Sequence, residues 1–392
     1  MIAIILLFFI LVCNALDDLN LGESEFSIEL VKSTGLDNVV MAPFTVWALM
    51  ASISFWAKGE FQEQMLNVLR LPKNETVFLN QYSNLERAIF EKKSNGVNIS
   101  SKIFIYTNTQ SELYPELKHI MTTYFGAVIE TFNFEYNENT AKKANDLIFE
   151  HVGSVFNLFQ PEDFVNTTMI MSSALTFESH FESMFRESET KIRYYPHNNK
   201  IYHVPIMRQT VKAPYSYILS LNSIVTELAL GNDGKFCLLL ILPNIYISLK
   251  KVYNKMNTVT LKDVFDKLQS DVDKFGLRDF SLNLPKVKIE TGIVLNKPLS
   301  DIGLKHLFEP EKSEFTGITS DDLYITSIDH TCQVVINESG VYALASTPGY
   351  RDYNILGPDI EVRRPFIFFV MEKPTQTIIL SGLYSKHRYI LN

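Results

Sequence analysis

An α+β protein built on large sheets is what this sequence predicts, on three observations. The first part of the chain sets apolar residues at helical spacing, whereas later stretches are uninterrupted apolar runs of strand length. Several of those runs are apolar at every position, as strands covered on both faces are. Strands and helices do not alternate regularly, which excludes a doubly wound parallel sheet.

The elements follow in order. "MIAIILLFFILVCNALDD" opens with unbroken apolar residues from Ile2 to Val12, then the short side chains of Cys13-Asn14-Ala15. That run is too short to cross a bilayer, so residues 1–15 are expected to be a cleaved secretory signal, with the α-amine supplying the positive charge. No composition break divides residues 16–392, which read as a single domain. "TVWALMASISFWAKGEFQEQML" is helical with a break at Lys58-Gly59, and Pro72 stops the next helix. Leu113, Leu117, Ile120, Met121 and Tyr124 form a second helical face. Ala144, Leu147, Ile148, Val155 and Phe159 form a third. "KIFIYT", "TMIMSSALTF", "FCLLLILP", "LNLPKVKIE", "PFIFFVM" and "TIILSGLY" read as strands.

Charge and motif content narrow the function. A net charge of −8 over 392 residues argues against nucleic acid, and no membrane span is expected. Nucleophile-elbow, zinc-protease, phosphate-loop and paired-cysteine motifs are all missing, so no catalytic residue, cofactor or metal is expected. His197 and His203 lie in a polar stretch at no ligand spacing and read as solvated loop residues. The acidic run "EPEKSE" reads as a solvated face. Cys237 and Cys332 sit in apolar runs and read as two buried thiols rather than a bridge. Asn74, Asn98, Asn166 and Asn337 each begin an N-glycosylation sequon, which fits secretion.

The most specific feature is "VINESGVYALASTPGYRDYNILGPDIEVRRPFIFFVMEKP", residues 335–374. Val341, Ala343, Ala345 and Thr347 are small at period two, as a strand entering a packed sheet requires, yet Pro348-Gly349 and a long polar loop follow. At these residues the sequence resembles the serpin family. "NVVMAPFTVWALMASISFWAKGEFQEQMLNVL" is similar to the family's N-terminal segment, and "SSALTFESHFESMF", "VPIMRQ", "LNLPKVKIE", "LSDIGLKHLF", "HTCQVVINESG" and "RRPFIFFV…TIILSGLY" match its later motifs in order. The resemblance covers essentially the whole chain after the signal.

It implies three β-sheets with surrounding helices and an exposed reactive loop, about residues 340–364, that baits a target protease. After cleavage the loop's first part inserts into the main sheet and drags the attached enzyme. A monomeric inhibitor of a chymotrypsin-like or trypsin-like serine protease, acting in a body fluid or glandular secretion, is therefore expected. The alternative is a non-inhibitory carrier, storage or signalling protein of the same fold.

Glu338, Gly340, Val341, Ala343, Ala345 and Thr347 take the hinge positions. Family spacing puts the cleaved bond at Asn354-Ile355, with Tyr353 and Arg351 as alternatives better suited to common specificity pockets. Ala42, Thr45, Ser173 and His330 fall where the family gates its opening sheet, with only the histidine retained. Other departures are Ser339 before the hinge glycine, Pro348 in the loop, Phe181 for a tryptophan, and Leu147 and Val152 on the helix over the sheet. Asn337 is expected to carry no glycan, since this asparagine is a usual family residue.

Overall fold

The computed structural model describes residues 19–35, 37–109, 113–153, 158–197, 200–309, 325–342, 358–362 and 364–385. The signal segment, Val155, Ala343, Ala345, Thr347, Pro348, Arg351, Tyr353, Asn354 and Ile355, and the acidic run past Glu309 lie outside these residues.

Three sheets organise the chain. Sheet A is ordered β11 (Val287–Val294), β12 (Ser327–Ile336), β13 (Gly340–Tyr342), β4 (Met169–His180), β2 (Val97–Asn108) and β3 (Val128–Phe132). Sheet B runs β1 (Val39–Met41), β16 (Thr377–Tyr384), β15 (Phe366–Glu372), β9 (Phe236–Pro243), β8 (Ser223–Leu230) and β7 (Tyr215–Ile218). Sheet C runs β14 (Asp359–Glu361), β10 (Arg278–Pro285), β6 (Lys200–Ala213) and β5 (Lys191–His197). Helices are α1 (19–33), α2 (Pro43–Ser54), α3 (Gly59–Leu69), α4 (Glu75–Glu86), α5 (Pro115–Tyr124), α6 (Asn137–Val152), α7 (Leu249–Met256), α8 (Leu261–Phe275) and α9 (Asn296–Asp301).

The unbroken apolar runs became β9, β15 and β16, every residue of which is buried. Phe368 lies opposite Gly382, and a Cβ on that glycine would occupy the space of the phenyl ring. Helix α2 is buried at all positions and packs against β16 on one side and β2 and β4 on the other, so it is wedged between sheets A and B. Its interior hydroxyls bond back within the helix, Ser52 Oγ to the Leu49 carbonyl and Ser54 Oγ to that of Ala51, both at 2.6 Å.

The other face of sheet A lies under α6. Phe104, Tyr106, Ile170 and Ala174 pack there with Ala144, Ile148 and Val152, while Ile103, Ile105, Leu175 and Phe177 point into the main core. Period-two alternation thus assigns each strand residue to one cluster or the other.

Three readings need correction. The α6 face does not extend to Phe159: the helix ends at Gly153, φ 71°, and the chain returns to set the Phe159 ring 5.5 Å from that of Tyr106. "LNLPKVKIE" is two strands in different sheets, broken at Lys286. His197 and His203 are not loop residues but lie on β5 and β6, and the His203 ring packs edge-on against Tyr194 at 4.9 Å. Cys237 and Cys332 are free and buried.

Candidate functional site

The centre of sheet A is split. Strands β4 and β12 run parallel and pair from Ile170↔Ser327 to Ala174↔Thr331. Beyond that they diverge, and β13 lies between them, antiparallel to both: Val341 pairs with Ser179 and Ile336, and Gly340 with His180. Between the lower pairs and this wedge, Leu175–Glu178 of β4 and Cys332–Val334 of β12 keep, among the described residues, a ladder on their outer sides only, to β2 and β11. Among the described residues the fold therefore leaves a slot between β4 and β12, bounded by β13 at one end and by the β4–β12 pairs at the other.

The wedge is set by a tight turn. Asn337 N–H donates to the Gly340 carbonyl at 3.0 Å and Gly340 N–H to that of Asn337 at 3.2 Å. Asn337 Oδ1 also accepts from Ser339 N–H at 2.9 Å, an Asx turn that commits the side chain to its own backbone. The turn is centred on Glu338 and Ser339, and the hinge glycine Gly340 is needed for close approach. A Cβ there would overlap the Ser179 carbonyl oxygen and come within 2.6 Å of His180 Cα. Val341 is fully buried.

Glu338 anchors the turn to sheet C. Its Oε1 accepts from Lys286 Nζ at 2.7 Å and from Thr190 Oγ1 at 2.6 Å. Burial alone would raise its pKa, but the lysine and the hydroxyl outweigh burial and hold it below the usual carboxylate value. The Glu338 carbonyl accepts from Phe185 N–H at 2.8 Å and the Ser339 carbonyl from Phe181 N–H at 2.9 Å. Phe181, read from the sequence as replacing a tryptophan, packs ring to ring with Phe185 at 5.6 Å.

At the lower end of the slot Ala42, Thr45, Ser173 and His330 come together. His330 and Ser173 are cross-strand partners, and the imidazole is fully buried. Its Nε2 accepts the Ala42 N–H at 3.0 Å, which leaves the ring proton on Nδ1, 3.4 Å from Ser173 Oγ. Thr45 Oγ1 donates to the Ala42 carbonyl at 2.8 Å and lies 3.3 Å from Ser173 Oγ. Ala42 has no side chain to cap α2, and the imidazole ties that helix start to β12 instead. Burial lowers the His330 pKa to about 4, so the ring is neutral.

The sequons separate by exposure. Asn74, Asn98 and Asn166 are exposed; Asn74 caps α4 by accepting Val77 N–H at 3.0 Å. Asn337 is half-buried, and Ser339 of the same sequon is 7% exposed. The sequence reading missed Lys286 and Thr190, because nothing local in a lone lysine and a lone threonine points to a glutamate at the far end of β12.

A family model described as "Serpin (serine protease inhibitor)" matches residues 22–386. The chain is 27% identical over 393 residues to "Serpin B10" of Rattus norvegicus, covering 92% of this chain and 96% of that protein. It is 24% identical over 382 residues to "Leukocyte elastase inhibitor A" of Rattus norvegicus, covering 94% and 99%. Human thyroxine-binding globulin, solved in complex with thyroxine, superposes with a TM-score of 0.82 at 18% identity over 96% of this chain and 100% of that one.

Proposed function

Since the chain belongs to the serpin family, we propose that it is a secreted, single-use inhibitor of a serine-type endopeptidase, acting by cleavage and insertion of its reactive loop. One observation carries the reading: β13, the start of that loop, already occupies the mouth of a slot one strand wide. Continuing the β13 register inward sets Ala343 opposite Phe177 and Val334, Ala345 opposite Leu175 and Cys332, and Thr347 opposite Ser173 and His330. All of these partners sit on the face whose apolar members line the main core, where added bulk is destabilising, so small inserting residues are what the slot accepts. Insertion to residue 345 leaves the β4–β12 pairs intact; at Ser346 the Ala174–Thr331 pair must part, and at Thr347 the Ser173–His330 pair.

Pro348 favours the second reading, a serpin that is cut without trapping. In the same register it falls opposite Ser172 and Asp329 and offers no N–H to the ladder, which slows the step that must outrun deacylation. Support for secretion comes from the apolar run before Ala15 and from the exposed asparagines at positions 74, 98 and 166. The half-buried, hydrogen-bonded Asn337 supports its staying unglycosylated.

The test is incubation of the purified protein with chymotrypsin-like and trypsin-like proteases. A denaturant-stable complex, with the released C-terminal fragment starting between Asp352 and Ile355, is the expected result. Clean cleavage with no complex for any enzyme selects the non-inhibitory reading.

A further inference from the structure

At the far side of sheet B, where β9 ends and β15 begins, the loop from Asn244 to Ser248 walls an open hollow of about 570 Å³. The loop is pinned: Asn244 N–H donates to the Asn222 carbonyl at 2.9 Å, Ile247 N–H to that of Asn244 at 2.8 Å, and Ser248 caps α7. Pro243, Ile245, Ile247 and Pro365 give the hollow an apolar lining, and Tyr246 stands 85% exposed at its wall. An aromatic ring held out on a pinned loop gains by acquiring an apolar partner.

Two cations face this space, Lys250 and Arg364. Arg364 is the unusual one. It also lines a neighbouring hollow of about 170 Å³, whose walls include Asp359 and Glu361. One of its nitrogens, Nη1, is shut off from solvent and has no hydrogen-bond partner among the described residues. Asp359 is turned instead to Asn283, whose Nδ2 donates to it at 2.5 Å. Burial pulls the Arg364 pKa below its usual value with no carboxylate holding it up.

A guanidinium nitrogen shut off from solvent without an acceptor is costly, and the partner that suits it is an anion. A bare inorganic anion would leave the apolar lining unused, and a neutral hydrocarbon would leave the guanidinium uncompensated. We propose that this hollow is a binding site for a small amphipathic carboxylate, its apolar body against Ile245, Tyr246 and Ile247 and its carboxylate directed to Arg364 and Lys250. The site lies on a different sheet from the slot, so it stands or falls independently of protease trapping.

Calorimetric titration of the full-length protein with decanoate, below its micelle concentration, tests this. One-to-one saturable binding is expected, with decanol at least tenfold weaker and with Arg364→Met weakening decanoate at least tenfold. Tyr246→Asp places a repelling charge on an exposed side chain that folding does not need, and it too should weaken decanoate at least tenfold. If Arg364→Met fails to fold, that variant decides alone. Absence of saturable binding, equal affinity for decanol, or unchanged affinity in the folded variants overturns the proposal.

Discussion

His330 sits where a proton would be expelled by its surroundings: Nε2 faces the Ala42 N–H donor, and the ring has no water to hydrate a charge. With a folded pKa near 4 against 6.5 for the free side chain, the unfolded chain binds the extra proton between those values. Stability from this residue is therefore complete above pH 6.5 and is lost as pH falls toward 4, at up to about 1.4 kcal/mol per unit. In urea unfolding, the stability gap between the parent and His330→Gln should narrow over that window; a constant gap would refute the neutral, buried ring. Glu23 acts in the opposite direction. Burial raises its carboxyl to about 8, although Ser27 Oγ donates to it at 2.6 Å, so here the folded state holds the extra proton. Its contribution is full below pH 4.5 and is lost as pH rises through 8, so Glu23→Gln should grow more stable relative to the parent as pH goes from 5 to 8. Gly340→Ala is expected to cost about 2 kcal/mol or more, because its methyl overlaps the Ser179 carbonyl and must push β13 out of the sheet. A denaturation midpoint unchanged by that substitution would mean the wedge is not occupied in solution.

Among elements, the turn between β12 and β13 links the slot to sheet C through one ion pair. Glu338→Gln keeps the Thr190 bond but leaves Lys286 without its carboxylate, an expected loss of about 1–3 kcal/mol for a pair with one end in contact with solvent. The contribution depends on an ionised carboxyl held low by its partners. It is thus present above the ordinary carboxylate pKa and disappears as pH falls through the folded value, and the variant's deficit should shrink in acid. The slot also has a signature in amide exchange. Peptides covering Leu175–Glu178 and Cys332–Val334 should exchange faster than Ile170–Ala174, which is laddered on both sides. Equal protection would mean that the two strands close on each other in solution.

For the molecule as a whole, sheet A is held between α6 on one face and α2 on the other, so opening the slot strains both packed layers at once. Lengthening β13, already one of the six strands of sheet A, would fill the ladder positions open on β4 and β12 and stabilise the cut chain over the intact one. Cleavage within Arg351 to Ile355 should therefore raise the melting temperature and protect Leu175–Glu178 and Cys332–Val334 from exchange together. A cut protein with the parent's melting temperature and the parent's exchange pattern would show that the loop stays out, whatever the protease does.

What the sequence determined by itself was everything set by local pattern. The apolar runs of β9, β15 and β16 specify buried strands, and ordered motifs from Asn38 to Tyr384 specify the family. His330 and Ser173 were legible as candidates through that resemblance, but the role of the ring was not. That Nε2 stands in for a missing cap on α2 follows from two segments 288 residues apart meeting at 3.0 Å. Tertiary structure alone decided that "LNLPKVKIE" divides between two sheets, that Gly340 answers to a carbonyl on another strand, and that Lys286 and Thr190 hold Glu338. The reason is the same in each case: strand pairing and ion pairing join residues by proximity after the chain has packed, and no periodicity along the chain encodes the identity of a partner hundreds of residues away.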